Sequence, residues 1–276
     1  MADKDQTPLL TRRHALTVVG AGLAAAGLAV LSGCGCSTNP PQDVSPIEVW
    51  TAPYDWNALM TNPQGRKFYF PNATLSSKVG IDVSDYDHEI DWAQVAADGI
   101  EFAFVRVGYR GYTQGGIVED AQCSANLQGA RANSVPIGTY FFSSAINEEE
   151  AREEAQFVVD KLNGMVLEYP IVYDQEQVAD PSGRANNLTS AQYTANARAF
   201  CEAVNAAGYQ AMIYGNQHHF GQLDLDQLAA WPLWYAEYGV SEPTGHVNFA
   251  MWQYSESGTV AGIEGGVDMN ILFTVE

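Results

Sequence analysis

From residue 79 onward, short runs of β-branched and aromatic residues alternate with longer stretches whose apolar positions recur every three to four residues. Short runs bounded by turn residues read as strands, and the longer stretches as helices. Eight strands are predicted, over residues 79–84, 102–109, 136–143, 170–176, 210–216, 232–238, 248–254 and 267–271. Helices are predicted between the first five. Asp91-x-x-Gln94, Asn147-x-x-Glu150 and Thr189-x-x-Gln192 each supply an N-cap with a capping-box partner. Gly99, Gly164 and Gly208 stand where helices should stop. The triplet Glu148-Glu149-Glu150 falls in a first helical turn, where the helix dipole favours negative charge. This order predicts an α/β fold, an irregular TIM-like β/α barrel of about eight strands with helices reduced in the C-terminal part. Such barrels put their ligands at the C-terminal ends of the strands.

The first 78 residues follow a different pattern. Thr11-Arg12-Arg13-His14 precedes an uncharged stretch over residues 15–31, which ends at Leu31-Ser32-Gly33-Cys34. Charged, apolar and then small residues, in that order, make residues 1–33 a predicted secretory signal. The stretch is short and rich in Ala and Gly, whereas a bilayer span needs about 20 apolar residues. Its ending resembles a bacterial lipobox, so Cys34 is expected to carry a lipid that holds the chain at a membrane. The paired arginines resemble a twin-arginine signal, with Ala15 where that signal usually has Phe. Residues 34–46, polar and proline-bearing, read as a tether. Residues 47–78 hold Trp50, Tyr54, Trp56, Phe68, Tyr69 and Phe70, and are expected to pack on the domain at 79–276.

Composition narrows the functional classes. Thirteen Lys and Arg stand against 33 Asp and Glu, a net charge of −20. That sign repels phosphate and excludes nucleic acid as a partner. With 46 % hydrophobic residues the chain is too apolar for a disordered acidic protein. Cys123 and Cys201 fall in helical segments and are expected to be buried free thiols, with a disulfide between them as the alternative in an oxidising compartment. No Cys/His cluster has zinc spacing, so no metal is expected, and His218-His219 reads as a surface pair in a loop.

Four carboxylates fall at predicted strand ends: Asp82 in Gly80-Ile81-Asp82-Val83-Ser84, Asp174 and Glu176 in Tyr173-Asp174-Gln175-Glu176, and Asp268 in Gly266-Val267-Asp268-Met269-Asn270. Carboxylates in apolar strands call for pairing or use. Asp174 and Glu176, two apart, project from one face with Cβ atoms roughly 6–7 Å apart. Close carboxylates push their pKa values apart, which separates an acid from a base or stabiliser, as glycosidic cleavage requires. A lone D-x-E also occurs at metal sites and helix caps, and Asp82 and Asp268 are also readable as loop or turn residues. Their convergence on neighbouring strands of one barrel favours a site.

Taken with these residues, the ordered motifs Ile90-Asp91-Trp92, Phe104-Val105-Arg106-Val107-Gly108-Tyr109, Gly138-Thr139-Tyr140-Phe141-Phe142, Leu233-Trp234-Tyr235-Ala236-Glu237-Tyr238 and Trp252-Gln253-Tyr254-Ser255 give a chain that resembles glycoside hydrolase family 25, the Chalaropsis-type N-acetylmuramidases. The resemblance runs from Val79 to about Phe273. It implies a lysozyme that cleaves the β-1,4 bond between N-acetylmuramic acid and N-acetylglucosamine in peptidoglycan, without a cofactor. It also implies that Glu176 is the general acid, that Asp174 supports the substrate's own acetamido group, and that Asp82 and Asp268 tune the acid and hold the sugar. Tyr140, Tyr214, Trp234 and Trp252 are candidates for stacking against sugars, with ordinary barrel packing as the alternative. The family usually has an apolar residue where this chain has Gln175, which is expected to face the helix layer. A monomer is expected, held by its lipid beside its substrate. A catalytically silent wall-binding protein on the same fold, or a glycosidase for another acetamido sugar polymer such as chitin, remain alternatives.

Overall fold

The computed structural model describes residues 52–73 and 75–275. The predicted signal at 1–33, Cys34 and the tether to residue 46 lie outside the described residues. Eight strands close into a barrel: β3 (Leu75–Val83), β4 (Phe102–Arg110), β6 (Ile137–Ser143), β7 (Ile171–Gln175), β8 (Ala211–Asn216), β9 (Leu233–Ala236), β10 (Met251–Gly258) and β11 (Val267–Val275). Their order around the barrel is β3-β4-β6-β7-β8-β9-β10-β11, and β11 returns to β3. All neighbours are parallel except β11, which runs antiparallel to both β10 and β3. The short β5 (Ile117–Glu119) adds an antiparallel flap to β4.

Four helices cover the early strands: α1 (Trp92–Ala97), α2 (Cys123–Ala132), α3 (Glu148–Leu162) and α4 (Ser190–Ala206). Only the single-turn α5 (Gln217–Phe220) and a 3-10 turn at Leu225–Leu228 follow, which agrees with helices thinning towards the C-terminus. Asp91, Asn147 and Thr189 are the N-caps of α1, α3 and α4, and each accepts a backbone N–H with its side chain. The expected box partners act differently. Gln94 donates to the Asp91 side chain, the Glu150 carboxylate accepts from Ile146 N–H, and Gln192 reaches Glu148 and Asn196. Gly99, Gly164 and Gly208 end their helices at φ +84°, +79° and +89°, backbone that favours glycine.

Strand alternation sorts the barrel into two layers. Phe102, Phe104, Tyr140, Val172, Met212, Tyr214, Trp234 and Met251 fill the interior. Their neighbours Ala103, Val105, Phe141, Ile171, Tyr173, Ile213 and Tyr235 point outward into a second core under the helices. Glycine admits the interior rings: a Cβ on Gly80 would stand 2.3 Å from the Phe102 ring, and one on Gly138 2.4 Å from Phe104.

Three strands differ most from expectation in extent, β3, β10 and β11, the last running to Val275 past the expected end at residue 271. β3 begins at Leu75, ahead of the boundary expected at residue 79, because β11 pairs with it from Asp268↔Asp82 to Val275↔Leu75. β10 runs from Met251 to Gly258, later than the 248–254 expected, since it follows β11 through two register shifts. The N-terminal extension packs below the barrel with its hairpin β1 (Leu59–Thr61) and β2 (Lys67–Tyr69). Tyr54 stacks on Phe273 at 4.0 Å between centroids, Trp56 on Phe249 at 6.2 Å, and Tyr54 Oη donates to the Phe249 carbonyl. Cys123 and Cys201 are free thiols in the outer core. Burial pushes the Cys123 thiol up to about 12 and the Cys201 thiol up as well. Among the described residues no helix is long and apolar enough to cross a membrane.

Candidate active site

The barrel's C-terminal mouth gathers the four carboxylates. Asp174, on the inner face two residues after Val172, has no exposed surface and lies in register with Phe142 of β6 and Tyr214 of β8. Glu176 stands one residue beyond the end of β7 with the same inward parity, and is 6 % exposed. Asp82, near the end of β3, is paired across the closing seam with Asp268 of β11. Directly opposed side chains on antiparallel strands have Cβ atoms about 5 Å apart. The antiparallel direction of β11 therefore brings Asp268, at the start of its strand, to the same end of the barrel as strand ends elsewhere.

Like charges face to face on a sheet are unfavourable, and the interior supplies donors to one of them. Asp82 Oδ2 accepts from Gln253 Nε2 at 2.6 Å and from Asn270 Nδ2 at 2.8 Å. Each amide is held the right way round. Gln253 Oε1 accepts the hydroxyls of Tyr214, at 2.8 Å, and Tyr238. Asn270 Oδ1 accepts the Trp234 indole N–H at 2.8 Å. With its oxygens so engaged, each amide can offer only N–H to Asp82. A buried chain of hydrogen bonds thus runs from three aromatic side chains through two amides to one carboxylate.

The aromatic candidates divide. Tyr140, Tyr214 and Trp234 lie on the inner face, with Tyr214 and Tyr140 edge-on to Trp234 at 4.9 and 6.4 Å. Trp234 is fully buried, so it forms the floor of the interior and offers no face to a ligand in this conformation. Trp252 is not brought to the site. It is buried in the outer core, its Nε1 donating to the Glu237 carbonyl and the Lys67 ammonium 5.0 Å from its ring. Its neighbours Met251 and Gln253 take the inward positions of β10, so Trp252 points away by strand alternation. Gln175 also faces the outer layer, where it accepts from Tyr173 Oη at 2.6 Å and donates to the Ala145 carbonyl.

Sequence reasoning missed a second group at the mouth. Arg106 on β4 bonds Asp120 through Nε at 2.7 Å and Asp85 through Nη2, and lies over the rings of Tyr86 and Tyr109 at 5.1 and 5.6 Å. Burial raises the Asp85 carboxyl above its usual range, although the Arg106 guanidinium pulls the other way. Tyr86, Tyr109 and Tyr238 are half-buried aromatics at this end. The signal for Arg106 was present: a charged residue with the inward parity of Phe102 and Phe104. Gln253 and Asn270 carried no charge to mark them.

The loop after Glu176 is tied down at several points. Asn186 bonds the backbone of Val178 and Asp180, and Tyr193 Oη donates to the Ala185 carbonyl. Arg184 makes a two-pronged contact with Glu150 at 2.7 and 2.8 Å. Glu150 therefore serves tertiary structure as well as the helix dipole. Behind it, Glu154 pairs with Arg110 at 2.7 Å, and burial pushes its carboxyl up to about 7 against the pull of Ser143 and Arg110.

The sequence profile described as Glycosyl hydrolases family 25 matches residues 81–263, which hold Asp82, Asp174 and Glu176. Lysozyme M1 of Streptomyces globisporus is 28 % identical over 277 residues, covering 94 % of this chain and 90 % of that one. An autolytic lysozyme of Clostridium acetobutylicum is 26 % identical over 191 residues, 69 % of this chain and 54 % of the relative, so the chain spans about half of that protein's length. The crystal structure of a bacterial lysozyme from Streptomyces coelicolor matches with a TM-score of 0.57 at 27 % identity, covering 70 % of this chain and 90 % of that one. The modular autolysin LytC of Streptococcus pneumoniae, solved with a synthetic peptidoglycan ligand, shares the fold with a TM-score of 0.64 at 23 % identity, covering 79 % and 52 %. With the matched segment taking in six whole barrel strands and the end of β3, the chain belongs to glycoside hydrolase family 25.

Proposed function

We propose that this glycoside hydrolase is a lysozyme, cleaving the β-1,4 bond between N-acetylmuramic acid and N-acetylglucosamine in peptidoglycan with Glu176 as its general acid. The observation that carries this reading is the placement of Asp174 and Glu176 on one inner face at the mouth of the barrel, both largely shielded from water. Glu176 gives its proton to the leaving glycosidic oxygen as the bond to the anomeric carbon breaks. The carbonyl oxygen of the 2-acetamido group attacks that carbon, and Asp174 steadies the positive charge that grows on the acetamido nitrogen. Water, giving a proton back to Glu176, then opens the cyclic intermediate, so the anomeric configuration is retained. This is substrate assistance, a departure from the two-carboxylate scheme. Asp82, fixed by Gln253 and Asn270, and Asp268 opposite it hold the sugar and set the field at the acid. Tyr140 and Tyr214 border the sugar from the interior.

The chain's address belongs to the same proposal. Residues 1–33 direct export, Cys34 carries a lipid, and residues 34–46 tether the domain, as a monomer, within reach of the wall. What supports this is the residue order at 11–34.

The test is digestion of purified peptidoglycan by the protein and by Glu176→Gln, with mass spectrometry of the reduced fragments. Fragments with muramic acid at the reducing end, absent with Glu176→Gln, are the expected result. Release of nothing by either protein across several walls would leave a wall-binding protein, and preferential cleavage of chitin oligosaccharides would reassign the substrate.

A further inference from the structure

Two adjacent histidines, expected from sequence to be surface residues, grip the residue that follows Glu176. His219 Nε2 accepts the backbone N–H of Gln177 at 3.3 Å, and His218 Nε2 lies 3.1 Å from Gln177 Oε1. Both histidines sit on α5, where Asn216 Oδ1, at the end of β8, accepts their backbone N–H groups at 2.9 and 3.0 Å. His219 also shares with Glu176 the lining of a small cavity of about 20 Å³, along with Tyr173 of β7, Tyr193 of α4 and Tyr214 of β8.

The geometry has a chemical consequence. An imidazole nitrogen accepts a hydrogen bond only when it carries no proton, so this contact requires a neutral His219 ring with its hydrogen on Nδ1, a buried atom with no hydrogen-bond partner of its own. Burial favours the neutral ring and pushes its pKa down to about 4, with the neighbouring His218 acting in the same direction. The N–H of Gln177 belongs to the rigid peptide plane that begins at the carbonyl carbon of Glu176. Anchoring that N–H holds the plane that contains the Cα and carbonyl carbon of Glu176, and those two atoms with its backbone nitrogen set the direction in which its side chain leaves the backbone.

We infer that His219 is a positioning residue for Glu176, aiming the acid by accepting the Gln177 N–H from β8's side of the mouth. The inference rests on the proposed role of Glu176. The His219 contact holds the peptide group that links Glu176 to the loop beyond β7.

The test has two arms, both on the full chain. Nitrogen-15 shifts of the His219 ring at neutral pH should show an unprotonated Nε2 and a protonated Nδ1. The opposite tautomer, or a charged ring, overturns the inference without any variant having to fold. In peptidoglycan kinetics, His219→Leu should lower kcat about 10- to 100-fold while KM stays within about twofold, the mark of a misplaced acid. His219→Gln, whose Oε1 reaches the place of Nε2, should recover kcat to within about threefold of the parent. An unchanged kcat in His219→Leu, or a folded His219→Gln as slow as His219→Leu, overturns it. Failure of the underlying assignment looks different: Glu176→Gln would then cleave as well as the parent chain, and the inference would fall with it.

Discussion

The two ends of this barrel are built from the same strands and solve opposite problems. At the C-terminal mouth, Asp82, Asp174, Glu176, Gln253 and Asn270 are buried polar groups, and Asp82 draws on two amides that are themselves fixed by Tyr214, Tyr238 and Trp234. At the other end, Tyr54, Trp56, Tyr69, Phe249 and Phe273 form an aromatic plug with ring separations from 4.0 to 6.2 Å. The mouth sets charges beside charges and accepts the cost of desolvating them. The base gains stability from apolar area and ring packing. With the proposed site at the mouth, activity and stability should be separable along the barrel axis, and mutations should respect that division.

The sharpest break would come at the proposed acid. Glu176→Gln is expected to lower turnover by about 10²–10⁴ with little change in melting temperature. The mirror experiment is Trp56→Ala, which should cost about 3 kcal/mol by denaturant unfolding yet leave turnover per folded molecule intact. Equal effects of the two changes on activity would erase the distinction between the ends. Asp82→Asn should come next, with turnover down about 10²-fold, because an amide facing the Gln253 and Asn270 amides loses the charge both donors point at.

A smaller effect belongs to the layer behind the mouth. The Glu154 carboxyl titrates near 7 in the fold, above its ordinary value of 4.5. A group with a raised folded pKa favours the fold below its unfolded value and loses that contribution as pH rises through the folded one. Unfolding free energy should thus decline from about pH 4.5 to about pH 7 relative to Glu154→Gln, in which that slope is absent. Parallel curves for the two proteins would show that Glu154 is charged throughout. The mildest change concerns the surface: with a net charge of −20 against an anionic wall, activity should rise as salt approaches about 0.2 M. A steady fall from low salt would point to attraction at the mouth outweighing repulsion elsewhere.

The strands, the thinning of the helices and the three N-caps were legible because each depends on local pattern. Gly99, Gly164 and Gly208 were legible for the same reason, since left-handed backbone has few other tenants. What escaped was set by tertiary neighbours. Glu150 carries a capping-box signature, but Arg184 and Ile146 N–H claim its carboxylate. Trp252 has the residue type for a sugar platform, but which face of β10 it occupies depends on the pairing with β9 and β11, and that pairing turns Gln253 inward instead. The carboxylates stood out because charge in an apolar strand is conspicuous, whereas the uncharged amides that hold Asp82 are ordinary letters in a sequence. His219 was legible as a pair with His218 and illegible as a partner of Gln177, because nothing local joins β8 to the loop after β7.

The antiparallel β11 also has a temporal meaning. It is wedged between β10 and β3, and its bonds to β3 join residues nearly two hundred positions apart, from Asp82 with Asp268 to Leu75 with Val275. Contacts of such long range form late, since the chain must first surrender the entropy of the loop they close. Until β11 docks, the barrel is an open sheet, Asp82 lacks both Asn270 and the facing Asp268, and the Trp234 indole has no amide to orient. Closing the mouth is thus expected to come late in folding, so a partly folded copy would lack the arrangement on which the proposed activity depends.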